Sequence, residues 1–65
     1  MSLGQKIKEL RLDKGLSQLE LANEVGVARP AIAQYERGTK IPNLLTGKAI
    51  ADVLGCSLDE LAAEV

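Results

Sequence analysis

The sequence predicts an all-α domain of five short helices, and three observations lead to this prediction. Apolar residues recur at intervals of three and four positions, which is the period of an α-helix and not of a β-strand. Serine followed three positions later by glutamine or glutamate occurs three times, a spacing typical of a capped helix start. Glycines follow the apolar segments closely, where a helix often ends on a left-handed residue.

The helices are predicted in order from these signals. Ser2, Ser17 and Ser57 are the candidate caps of the first, second and fifth helices. The predicted ranges are 3–14, 18–25, 29–37, 44–54 and 58–64. The apolar stripe of the fourth helix consists of Leu44, Ile50, Ala51 and Leu54. The apolar stripe of the fifth helix consists of Leu58, Leu61, Ala62 and Val65.

Length and composition limit the functions to consider. The 65 residues contain no linker or repeat that suggests a second domain, so residues 1–65 are predicted to form one domain. With no histidine and one cysteine, neither a His/Cys metal site nor a Ser-His-Asp or Cys-His arrangement is expected, and hence no enzyme and no cofactor. No apolar run approaches the roughly 20 residues of a membrane span, so we expect a cytoplasmic protein.

The charges are unevenly distributed along the chain. The net charge is −1, but residues 1–40 carry seven lysines and arginines against five acids, whereas residues 41–65 carry Lys48 alone against four acids. Net charge therefore hides a basic N-terminal part. This part is the candidate nucleic-acid face.

Residues 18–37 have the pattern of two helices joined by a sharp bend. The small Ala22 stands where the helices would cross, and Gly26 supplies the positive φ that the bend requires. Along the second of these helices Arg29, Pro30 and Gln34 fall within about 140° of one another, on the side away from the apolar residues. Arginine pairs with guanine and glutamine with adenine in the major groove. The side chains on this side of the helix are therefore suited to contacts with DNA bases.

The chain resembles the Cro and lambda-repressor-like helix-turn-helix family, also called the xenobiotic-response-element type. The resemblance covers the chain almost from end to end. It rests on these motifs: Ile7-x-x-Leu10-Arg11, Gly15-Leu16-Ser17-Gln18-x-x-Leu21-Ala22, Gly26-Val27, Ile32-x-x-Tyr35-Glu36-Arg37-Gly38, Pro42, and Ile50-Ala51-x-x-Leu54-Gly55-x-Ser57-Leu58-x-x-Leu61. It implies a compact five-helix bundle whose third helix enters the major groove of double-stranded DNA.

The resemblance also implies roles for individual residues. It places Arg29, Pro30 and Gln34 at base-reading positions. It makes Arg11 and Glu36 a structural ion pair that ties the first helix to the end of the reading helix. It also implies that four residues contact DNA phosphates: Gln18, Arg37, Thr39 and Lys40.

Two positions depart from the family pattern. Ala28 offers no hydroxyl to cap the third helix, which costs about 1 kcal/mol. Gly47 lies inside the fourth helix where relatives place a large aliphatic residue, and costs roughly another 1 kcal/mol relative to alanine. We expect Leu44 and Leu45, or else a partner subunit, to fill the space at Gly47.

The resulting hypothesis is a transcriptional regulator, most simply a repressor, that binds a pseudo-palindromic DNA operator as a homodimer in the cytoplasm, associated with the nucleoid. The expected dimer surface is formed by Leu58, Leu61 and Val65 of the C-terminal helices. No membrane or metal partner is expected. The alternative hypothesis is a protein-interaction module, an antitoxin or co-regulator, on the same fold, and the mild acidity and the missing hydroxyl at Ala28 favour it slightly.

Overall fold

The computed structural model describes residues 2–62, and they form five helices without a strand among them. The helices in chain order are α1 Leu3–Asp13, α2 Gln18–Val25, α3 Arg29–Arg37, α4 Leu44–Leu54 and α5 Leu58–Ala62. The predicted all-α, five-helix fold is confirmed. Residues 63 and 64, which the sequence prediction included in the fifth helix, lie outside the described residues, as does Val65.

The helix starts are fixed by local hydrogen bonds. The hydroxyl of Ser17 accepts from the amide of Glu20 at 3.0 Å, and the carboxylate of Glu20 accepts from the amide of Ser17 at 2.8 Å. The same reciprocal pair forms at Ser2 and at Ser57, as the sequence predicts. Helix α3 has no side-chain cap, because Ala28 stands at that position.

The core draws at least one side chain from every helix. Helix α3 packs against α1 and α2, and α4 and α5 cover the other side of the bundle. The buried apolar residues among those described are Ile7, Leu21, Ala22, Ile32, Ile50, Ala51, Leu54 and Leu61. Helix α3 is thus held by its inner face, and no other described helix covers its outer face.

The bend between α2 and α3 is fixed by backbone geometry. Gly26 has φ +88°, in the left-handed region that a side chain disfavours. The carbonyl of Ala22 accepts hydrogen bonds from the amides of Gly26 and Val27, at 2.8 and 3.0 Å. Ala22 itself is fully buried, so the crossing of the two helices depends on its small size.

Helix α1 approaches α3 very closely at Gly4. A Cβ atom added there would lie 2.5 Å from the carbonyl oxygens of both Tyr35 and Glu36, which is shorter than any real contact. The start of α1 therefore rests directly on the last turn of α3. This close approach at Gly4 was not predicted from the sequence.

Two expectations about leucines are wrong. Leu44 and Leu45 do not fill the space at Gly47, because they are 72% and 80% exposed. A Cβ at position 47 would instead meet the Cδ1 of Leu58 at 3.5 Å, so Leu58 covers this glycine from α5. The second expectation placed Leu61 in a dimer surface. Leu61 is only 1% exposed and belongs to the core of its own chain, so it is not available to a second subunit.

Candidate nucleic-acid interface

An open cleft of about 410 Å³ lies between α1, the start of α2 and the outer face of α3. Four of its lining residues are lysine or arginine and one is an acid. The lining consists of Lys8, Arg11, Gln18, Arg29, Ala33, Glu36 and Arg37. With four cations against one acid, the cleft has a net charge of +3 beside the predicted reading helix.

The floor of the cleft is an ion pair between Arg11 and Glu36. The Nε of Arg11 donates to Oε2 of Glu36 at 2.7 Å, and its Nη2 donates to Oε1 at 3.1 Å. The remaining Nη1 donates to the carbonyl of Leu16 at 2.8 Å. Both side chains are largely buried, at 9% and 5% exposure. The pair therefore joins α1 to α3 through a fixed, bidentate contact.

Gln18 connects this ion pair to the surface. Its Nε2 donates to Oε1 of Glu36 at 3.1 Å, and its Oε1 accepts from Nη1 of Arg29 at 3.2 Å. A continuous chain of hydrogen bonds thus runs from the buried Arg11 to the exposed Arg29. Because Gln18 is the first residue of α2, the helix that precedes the bend orients the first side chain of α3.

The structure brings only some of the predicted site residues together. Arg29 and Arg37 line the cleft, whereas Pro30 and Gln34 lie next to them on α3 and do not. Pro30 is exposed in the first turn of α3, and Gln34 is half-buried. Helix α3 therefore presents a basic edge with Arg29 and Arg37 and, beside it, an uncharged edge with Pro30 and the amide of Gln34.

Thr39 and Lys40 lie beyond the end of α3 and outside the lining of the cleft. Both residues are exposed. The hydroxyl of Thr39 donates to the carbonyl of Gln34 at 3.3 Å, which ties the turn after α3 to the helix. These two residues thus form a separate polar segment beyond the C-terminal end of α3.

Lys8 is a cleft residue to which the sequence analysis assigned no role. It lies three positions before Arg11, so the two share one face of α1. Its position one helical turn before Arg11, which the resemblance places in an ion pair with Glu36, was therefore the available signal. Only the packing of α1 against α3 shows that this face borders the cleft.

Comparison with known proteins identifies the family. The family model described as helix-turn-helix matches residues 7–61, most of the chain. The chain belongs to the helix-turn-helix family. The resemblance noted from the sequence is confirmed, and this family is one of DNA-binding regulators and not of enzymes.

Two curated relatives within the family are described as repressors. The chain is 37% identical over 59 residues to the cryptic phage CTXphi transcriptional repressor RstR of Vibrio cholerae, covering 91% of this chain and 53% of the relative. It is 34% identical over 64 residues to the immunity repressor protein of Bacillus phage phi105, covering 98% and 44% respectively. The chain therefore spans about half the length of these relatives.

Solved structures of the family share the whole fold. The P22 c2 repressor, crystallised in complex with a synthetic operator, superposes with a TM-score of 0.92 at 34% identity, covering 95% of this chain and 94% of that one. The biofilm regulator SinR, crystallised in complex with DNA, superposes with a TM-score of 0.87 at 34% identity, covering 92% of this chain and 97% of that one.

Within residues 2–62 no helix is long and apolar enough to cross a membrane.

Proposed function

We propose that this chain is the DNA-binding domain of a transcriptional repressor that reads double-stranded DNA with α3. The observation that carries the proposal is the basic cleft along α3, with Arg29 held in place by Gln18. The relatives described as repressors, and the P22 c2 repressor seen with an operator, support it.

Arg29, Pro30 and Gln34 read the bases. The Nη1 of Arg29 donates to Gln18, and the other donors of the guanidinium remain available for O6 and N7 of guanine. Gln34 matches the donor and acceptor of adenine, and the exposed ring of Pro30 offers an apolar surface to a thymine methyl.

Phosphates are contacted on both sides of the reading helix. Arg37, Thr39 and Lys40 lie at and beyond the C-terminal end of α3, and Lys8 adds a cation from α1. Gln18 donates one amide hydrogen to Glu36 and has a second for a phosphate oxygen. These contacts position the domain on the duplex without reading its sequence.

Arg11 and Glu36 act as positioning residues for this surface. Their charges neutralise each other within a largely buried contact, so they add little to the attraction of DNA. Their role is to hold α1, Gln18 and α3 in one arrangement.

The domain acts as a homodimer on a pseudo-palindromic operator, associated with the nucleoid in the cytoplasm. A reading helix of this length covers only a few base pairs of the major groove, so two copies are needed for a selective site. Their reading helices enter successive grooves about 34–36 Å apart.

The experiment that tests this proposal is a selection of random duplex DNA by the purified protein at near-physiological salt. Enrichment of a two-fold symmetric site supports a sequence-reading dimer. Arg29→Ala or Gln34→Ala then changes the preferred base at one position of each half-site. Absence of enrichment by the folded protein contradicts DNA reading and favours the protein-interaction module.

Salt dependence separates phosphate contacts from base contacts. Lys8→Ala and Arg37→Ala each flatten the slope of log K against log salt by about 0.9 per bound copy and leave the preferred sequence unchanged. Lys48→Ala is the matched control, because Lys48 is exposed on α4 and does not line the cleft. An equal effect at Lys48 would contradict the assignment of the cleft.

A further inference from the structure

The uncharged edge of α3 is apolar where the helix begins. Pro30 lies in the first turn and is exposed, and Ala31, which follows it, is half-buried. Around the helix both residues lie at least about 100° from Arg29, and along its axis Arg37 lies about 10 Å away. The arginines of the basic edge are thus separated from them by angle or by distance. We call Pro30 and Ala31 the apolar pair of α3.

The apolar pair offers no hydrogen-bonding group to a DNA base. Neither side chain contains a polar atom, and proline has no amide hydrogen. The amide of Ala31 donates to the carbonyl of Ala28 at 3.0 Å, so it already has a partner. The carbonyls of the pair face the following turn of the helix. This part of α3 therefore has no group that pairs with the N4 amino group of cytosine or with the O4 of thymine.

A methyl group at C5 is the feature of a pyrimidine that such a surface can contact favourably. Thymine carries this methyl group and cytosine does not, whereas 5-methylcytosine carries it at the same ring position. The ring of Pro30 is rigid, so the contact costs little side-chain entropy. Because thymine and 5-methylcytosine differ in the major groove only in a polar group, the apolar pair does not distinguish them.

The position of the pair suits a contact to a base edge. Pro30 is the second residue of α3, and the N-terminal residues of a reading helix are those that contact bases. We infer that the apolar pair reads a C5 methyl group on either pyrimidine, so that methylation of cytosine at the contacted position raises the affinity for DNA. This inference rests on the proposed function, which assigns Pro30 to a thymine methyl alone. Cytosine methylation then regulates binding to any site that has cytosine at this position.

The expected gain follows from the burial of one methyl group. It amounts to about 4-fold in affinity for one half-site, and to about 15-fold for a symmetric duplex that is methylated in both half-sites. Replacement of thymine by uracil, which lacks the methyl group, causes a loss of the same size. The two effects are equal because the same contact is gained or lost.

Binding of the full chain to the symmetric duplex recovered by selection tests the inference. Each pyrimidine of the half-site is placed in turn as thymine, uracil, cytosine and 5-methylcytosine, in both half-sites together. At one position thymine binds about 15-fold more tightly than uracil, and 5-methylcytosine about 15-fold more tightly than cytosine. Pro30→Ser reduces both ratios to nearly 1, and Pro30→Val, which keeps an aliphatic side chain, retains them. Arg37→Ala is the control, because it weakens binding to all four duplexes by one factor and leaves the ratios unchanged.

The outcomes separate this inference from the proposed function. Methyl ratios near 1 at every position, or ratios that persist in Pro30→Ser, overturn the inference. A preference for thymine over uracil without one for 5-methylcytosine over cytosine also overturns it, because a polar group is then read. Circular dichroism checks that each variant is folded. If the folded, unmodified chain binds none of the duplexes, the proposed function fails and the inference fails with it, whereas binding that ignores the methyl group contradicts the inference alone.

Discussion

Replacing Glu36 by glutamine removes one charge of the buried ion pair and keeps the shape of the side chain. The guanidinium of Arg11 then loses a bidentate carboxylate partner while it stays in a site where the residue is only 7% exposed. Its remaining bond to the carbonyl of Leu16 does not neutralise the charge. The expected effect is therefore the cost of an uncompensated buried charge.

That cost is about 3–5 kcal/mol when one partner of a buried pair is removed. Domains of this size have unfolding free energies of about 0.05–0.15 kcal/mol per residue, or roughly 3–10 kcal/mol in all. Each kcal/mol shifts the Tm by about 4–8 °C, so a fall of at least about 12 °C is expected. The variant is thus close to the limit of folding.

Urea denaturation followed by circular dichroism measures the change, and a second variant tests its cause. Arg11→Met with Glu36→Leu removes both charges together and recovers most of the lost stability, because an apolar pair needs no neutralisation. A cost for Glu36→Gln below about 1 kcal/mol would show that water reaches Arg11. Equal losses in the two variants would refute buried charge as the cause.

Three further predictions concern the two interior glycines and the caps. Gly4→Ala lowers the unfolding free energy by about 1–3 kcal/mol, because its Cβ would lie 2.5 Å from backbone oxygens of α3. Gly47→Ala raises it by about 1 kcal/mol, because its Cβ meets Leu58 at an ordinary 3.5 Å and stiffens α4. Hydrogen bonds from the cap serines hold the pKa of Glu20 and of Glu60 below the usual 4.5. Their contribution to stability is therefore present above that pH and is lost as the pH falls below it.

Denaturation curves check all three. Equal signs for the two glycine variants would contradict the assigned packing, since the same substitution meets backbone in one case and a flexible side chain in the other. For the caps, Glu20→Gln with Glu60→Gln keeps a side chain that accepts the same bond, as Gln5 does in α1, but does not titrate. The variant loses less stability than the original chain on acidification, and parallel pH profiles would exclude the caps as the cause.

The sequence predicts the helix starts well because the deciding interactions are local. The hydroxyl of Ser17 and the carboxylate of Glu20 are three residues apart, and their bonds form wherever that turn is helical. The bend at Gly26 is equally local. The residues that lie nearby in the sequence are sufficient to predict these features.

Exposure of a leucine, in contrast, depends on which other helix covers it. Leu44 has the spacing of a buried residue in α4, yet it lies on a side of the first turn that no described helix covers, and it stays exposed. Leu58 covers Gly47 on another side of the same turn, because α5 packs against α4 there. The cleft residue Lys8 and the close approach at Gly4 were missed for the same reason, since both depend on how α1 packs against α3.

The hydrogen-bonded chain from Arg11 to Arg29 separates stability from readout. Arg29 is exposed, and among the described residues its guanidinium donates only to the Oε1 of Gln18, whereas the Nε2 of Gln18 donates to Glu36 independently. A substitution at Arg29 therefore leaves the buried part of the network intact and, under the proposed function, changes mainly the base that is read. A substitution at Glu36 disturbs both the packing of α1 and the orientation of Gln18. If Arg29 reads a base as proposed, base preference can thus change at the exposed end of this network at little cost in stability, provided that the ion pair beneath it is kept.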